Sequence, residues 1–136
     1  MIASLTREGR ATFNAVTLPP GFGANNVRHN KQLESLTCDP DGKLMYTAPE
    51  EPLLSDGPIP TIADGGSLRL EAIDVQQNFV RRTVRYDLEP GEGNGLADLE
   101  ALDRDGAPRQ RVLTLERAWT RALGNTIRTS SVQCYK

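Results

Sequence analysis

The feature that most constrains this chain is a hairpin pattern that occurs twice. Leu33-Glu34-Ser35-Leu36 precedes the turn residues Asp39-Pro40-Asp41-Gly42, and the return run Leu44-Met45-Tyr46-Thr47 leads to Glu50. Downstream, Leu99-Glu100-Ala101-Leu102 precedes Asp103-Arg104-Asp105-Gly106, and Val112-Leu113-Thr114-Leu115 leads to Glu116. The glutamates of each pair are 16 residues apart, and the second copy begins 66 residues after the first. Short β-prone runs closed by Asp, Pro and Gly fold as hairpins, because these residues supply the turn geometry and the runs are too short for helices. A repeat of this length predicts units that cover one another's apolar faces.

Four strand-like runs fall within one period, at 33–38, 43–49, 67–75 and 79–88. In the third, Leu68, Leu70 and Ala72 alternate with Arg69 and Glu71, the mark of a half-buried strand. Further runs lie at 11–18, 98–103 and 110–117, and residues 126–133 read as the start of a following hairpin. Residues 117–123 offer at most a turn or two of helix before Gly124-Asn125, and 51–66 is a long Pro- and Gly-containing loop of a kind that often carries function. The expected fold is all-β, with antiparallel four-stranded blade-like units forming a partial β-propeller. A small β-sandwich is the alternative. One domain spans 1–136, with units at about 33–98 and 99–136 and a flanking strand at 11–18. A propeller usually takes four to eight blades, so the expectation is a piece of a longer parent, with possible self-association through exposed blade faces.

Charge and motifs exclude several functions. The net charge of −2 gives no basic field for nucleic acid. No apolar run reaches the roughly 18 residues of a membrane helix, and residues 1–9 have no signal-peptide core. His29 is the single histidine, which rules out a His-rich metal site; it is either a loop residue or a lone base. Ser35 is not in a Gly-x-Ser-x-Gly elbow, and residues 91–95 read as a turn rather than a phosphate cradle. Trp119 is expected in a core or an interface. Cys38 and Cys134 can form a disulfide or remain separate thiols, with Cys38 then a small core residue.

The hairpin residues also carry a family resemblance. Asn30-Lys31-Gln32-Leu33-Glu34-Ser35-Leu36, Asp39-Pro40-Asp41-Gly42 and the Glu50 to Gly57 stretch resemble elements of the bacterial phytase-like family, "esterase-like activity of phytase". Leu113-Thr114-Leu115-Glu116-Arg117 and Gly124-Asn125-Thr126-Ile127 are similar to further elements of it. Gln32-Leu33 stands where Gly-Phe is typical. The resemblance implies a phosphoesterase or esterase segment acting on a small-molecule phosphate ester or other ester. It implies a β-propeller type domain of which this chain is a middle portion, and a parent that is usually exported, periplasmic or extracellular.

The carboxylates suit that chemistry. A tight hairpin at Asp41-Gly42 places Leu36 near Thr47 and Glu34 near Pro49, so Glu34 and Glu50 meet at its open end, and Glu100 and Glu116 meet at the equivalent end of the second. Clustered carboxylates repel unless a cation or proton joins them, and oxygen-rich clusters favour Ca²⁺. The expected metal ligands are Glu34, Glu50, Asp56, Glu100 and Glu116, with Asp98 able to add to them. The candidate catalytic set is Glu34, Glu50, Glu100, Glu116 and Arg117, and the substrate contacts are Arg28 and Asn30. The competing reading is a non-catalytic binding or structural β module in which these glutamates pair with arginines and fix loops.

Overall fold

The computed structural model describes residues 2–5, 7–102 and 110–134, with backbone alone for 2–5 and 11–14. The Asp103 to Gly106 turn and Arg109 lie outside the described residues. Strands β1 (Ile2–Leu5) and β2 (Ala11–Val16) pair as a hairpin. Strands β3 (Leu33–Cys38), β4 (Leu44–Pro49), β5 (Ser67–Asp74) and β6 (Phe79–Asp87) form a four-stranded antiparallel meander. Strands β7 (Gly95–Leu102), β8 (Gln110–Thr120) and β9 (Gly124–Cys134) form a three-stranded one. The chain is all-β, and the four strands expected within one period are the four strands of one sheet.

Local chemistry explains the first hairpin. Leu36 lies opposite Thr47, as the spacing requires. The turn is wider than a two-residue one: Lys43 and Leu44 donate their amides to Asp39 Oδ1 at 2.7 and 3.0 Å, and Gly42 N donates to Asp39 O at 2.9 Å. Asp39 therefore caps the loop, and Gly42 alone takes the left-handed conformation, at φ 67°. Near the other end the register slips by one residue at Glu34, between the Leu33–Pro49 and Ser35–Ala48 pairs. The slip is a β-bulge.

The two larger sheets pack face to face. Tyr46, Ala48, Leu68, Leu70 and Tyr86 of the first meet Leu96, Leu99 and Val112 of the second in one buried cluster. Two hydrogen bonds tie the sheets together: Leu96 N donates to Glu50 O, just past β4, at 2.8 Å, and Ala101 N donates to the Thr37 side-chain Oγ1 at 3.0 Å.

Two expectations need correction. Residues 117–120 continue β8 rather than forming a helix, because Arg117, Ala118 and Trp119 keep their ladder partners on β9. The run expected at 126–133 is β9, which pairs with β8 as β5 pairs with β4. Cys38 is exposed, whereas Cys134 is the thiol in the core, where burial pushes it up to about 11 against a small opposing effect of Arg82. Both are free cysteines. Trp119 is 61% exposed, on the side of its sheet turned away from the shared core.

Candidate functional site

Two polar loops build the site beside β3. Asn26 holds them together: its side-chain oxygen accepts from Ser55 N at 2.8 Å, its amide donates to Gly21 O at 2.7 Å, and its carbonyl accepts from Leu54 N at 2.8 Å. Arg28 crosses the same seam, donating from Nε to Pro52 O at 3.0 Å and from a terminal nitrogen to Gly57 O at 2.7 Å. The 51–66 loop thus fixes the guanidinium. Asn30 takes φ 57°, which turns the chain into β3.

The result is a cleft of about 690 Å³ lined by Arg28, His29 and Glu34, by the neutral polar residues Gln32, Ser35 and Thr47, and by apolar side chains. Glu34 reaches it from the bulge. An extra residue in a strand re-aims a side chain, and bulges are frequent beside functional sites for that reason. His29 and Glu34 are both exposed. A guanidinium, an imidazole and a carboxylate therefore share one concave surface, which can bind an anionic group and exchange a proton.

The other expected site residues lie apart from this cleft. Glu50 is 6% exposed and accepts from Lys31 Nζ at 2.8 Å, while Glu51 lies 3.3 Å from the same ammonium. Burial pulls the Lys31 ammonium down, but its hydrogen bond and attraction to Glu50, with Glu51, outweigh this and raise it overall. Asp56 is paired with Arg69. Glu116 is 1% exposed and accepts from Tyr86 Oη, Asn94 Nδ2 and, at 3.1 Å, Glu89 N. Burial, then the bond to Glu116, push the Tyr86 hydroxyl up to about 12. Glu100 and Arg117 are exposed on the second sheet. Asn30 is exposed in its turn.

The expected meeting of Glu100 with Glu116 does not occur, because Glu116 stands opposite Leu96 and Glu100 opposite Leu113. Asp98 stands opposite Leu115. Among the described residues no three Asp, Glu, His or Cys side chains form a group that could hold a metal ion. The five candidate ligands therefore do not fit Ca²⁺ as one set: Glu50 and Glu116 are held by internal donors, Asp56 gives Oδ1 to Arg69 while its buried Oδ2 has no partner, and Glu34 alone of the five lines the cleft. Lys31, Tyr86 and Asn94 were not legible as partners of these acids. Nothing in sequence spacing links Lys31 to Glu50 or Asn94 to Glu116.

Comparison with known proteins adds a family. The family model described as "Phytase-like: Esterase-like activity of phytase" matches residues 1–135. No curated protein and no solved structure matches the chain.

Proposed function

The chain belongs to the phytase-like family, and on that premise we propose that its cleft hydrolyses small-molecule esters, phosphate esters among them. The observation that carries the reading is the convergence of Arg28, His29 and Glu34 on one concave surface. Arg28, already oriented by two carbonyls, offers its remaining donors to the anionic oxygens of the substrate. Water attacks the phosphorus or the acyl carbon, and its oxygen forms the new bond as the bond to the alcohol oxygen breaks. His29 takes the proton from the water and returns one to the departing alkoxide. Glu34 steadies the imidazolium formed between the two transfers. Ca²⁺ at this cleft would draw on Glu34 as its protein carboxylate and take other ligands from substrate and water. It would neutralise phosphoryl charge.

A second reading has its own support. Glu50, Asp56 and Glu116 are engaged as internal pins, which is what a non-catalytic binding or structural β module requires. Hydrolysis of p-nitrophenyl phosphate and p-nitrophenyl acetate separates the two, measured with Ca²⁺ and with chelator. The catalytic reading expects turnover that falls about 100-fold in His29→Ala and also falls in Glu34→Gln. Rates equal to the buffer blank with every metal tried refute it and leave the binding module.

A further inference from the structure

We infer that the cleft selects esters carrying a single anionic group and an apolar tail, rather than polyphosphorylated compounds. This deepens the proposed hydrolytic reading and rests on it for the site, though its test is one of binding. Leu18, Phe22, Val27, Leu33, Leu36 and Pro49, with Ala24, are just over half of the lining residues, and Arg28 is the one permanently charged cation among them. Two of its donors are already committed to the Pro52 and Gly57 carbonyls. Lys31, the next cation along the chain, is held by Glu50 and Glu51. Glu34 brings a negative charge to the same surface, so the lining has no excess of positive charge.

That balance decides the ligand class. One phosphoryl or acyl oxygen set can meet Arg28. Ser35 and Thr47 also line the cleft but spend their hydroxyl protons on the Ala48 and Ser35 carbonyls. Beyond His29 and Gln32, each further phosphate would lie against hydrocarbon or beside Glu34, losing hydration without gaining a second fixed cation. The cleft volume of about 690 Å³ is that of an ordinary small-molecule site, in which apolar walls supply affinity and a few polar groups supply orientation. A methylene seated against such a wall is worth up to about fourfold in affinity, and about twofold where the wall is open on one side.

The test is calorimetric titration of the whole chain with ethyl, butyl and hexyl phosphate, inorganic phosphate and myo-inositol hexakisphosphate. Affinity should rise along the alkyl series, with hexyl phosphate at least about tenfold tighter than ethyl phosphate, and the hexakisphosphate should bind more weakly than hexyl phosphate. Leu36 is 52% exposed, so Leu36→Ser should fold; it should flatten the series and, adding no charge, leave inorganic phosphate unchanged. Phe22→Ala is the second variant and should weaken hexyl phosphate more than ethyl phosphate. A flat series in the parent chain, or tighter binding of the hexakisphosphate, overturns the inference even if small esters are hydrolysed. A steep series with no hydrolysis of any ester upholds the ligand class and overturns the hydrolytic reading instead.

Discussion

Glu116 provides the sharpest test of how the carboxylates are used. Its side chain is 1% exposed and joins β6, the 89–94 loop and β8 through Tyr86 Oη, Glu89 N and Asn94 Nδ2. In Glu116→Ala, Tyr86 keeps Thr114 at 3.1 Å and Asn94 keeps Glu89 O at 2.9 Å, so neither is stranded. The Glu89 amide, part-buried, loses its bond to the carboxylate, worth about 1.5–3 kcal/mol for a bond to a charged group. The vacated side-chain volume and the weakened loop bring the total to about 3–4 kcal/mol. For a chain of this size that lowers the melting temperature by about 10–20 °C. Glu116→Gln should cost only about 1–2 kcal/mol, because its carbonyl can face Asn94 and Glu89 while the Tyr86 hydroxyl rotates to accept from the new amide. Thermal unfolding followed by circular dichroism, with Ca²⁺ and with chelator, reads both variants. A Gln variant as unstable as the Ala variant, with the deficit present only when Ca²⁺ is added, would refute the account. The charge would then be serving a cation rather than three internal donors.

Other residues give independent tests. Lys31→Met leaves Glu50 and Glu51 facing each other without their shared ammonium, and urea denaturation should show a loss of about 1–3 kcal/mol, discounted because Lys31 is partly exposed. Because the Lys31 amine is raised in the folded chain, its stabilisation is complete below its unfolded value and is lost as pH rises through the folded one; alkaline unfolding should therefore begin at lower pH in the Met variant only if other groups dominate, and the parent-minus-variant stability difference should shrink above about pH 10. Glu71 is 1% exposed, and burial raises its carboxyl, opposed by Thr83 and Arg69 and reinforced by Asp56. Its stabilising protonated form is lost as pH rises through the folded value, so Glu71→Gln should raise the melting temperature at pH 8 relative to the parent and change it little in acid; an equal effect at both ends would refute this. Gly95→Ala places a methyl 2.8 Å from Glu50 Cγ and 2.9 Å from Glu50 O, and should cost about 1–3 kcal/mol in the same denaturation assay by prising β7 from the first sheet.

Strand positions from residue 11 onward were legible because alternation and turn residues act locally; β1 (Ile2–Leu5), too short to show a pattern, was not. The runs at 33–38, 67–75 and 79–88 end within a residue of the observed strands. Side-chain partnership was less legible. The Leu-Glu-x-Leu repeat sets Glu34 beside Glu100 at a spacing of 66 residues, but the ladders do not. Each sheet has a one-residue slip near the same end of its first hairpin, at Glu34 in one and at Ala97 in the other. Matching the slips sets Glu34 against Ala97 and Pro49 against Glu116, so the first strands correspond at 63 residues and the second at 67. A bulge and a longer connection shift register without leaving a mark on residue identity. Glu100 then corresponds to Thr37, which explains why it does not meet Glu116.

The same correspondence separates what the repeat does from what the cleft does. Tyr46 and Leu68, buried between the sheets, correspond to Leu113 and Ile127, which are 36% and 62% exposed on the far side of the second sheet. The apolar pattern is therefore a property of the repeated unit, present whether or not this chain covers it. The cleft is not. Glu34 has Ala97 as its counterpart, and Glu50 has Arg117, so the second hairpin lacks the acid that reaches the cleft and the acid that holds Lys31. The loops that orient Arg28 are particular to the first sheet as well. The residues of the proposed site lie where the two hairpins differ. A paired-carboxylate mechanism shared equally between them would need an acid at Ala97, and an Ala97→Glu chain offers a direct comparison: its new carboxylate should leave ligand binding at the Arg28 cleft unchanged, because it would rise from the other sheet's bulge.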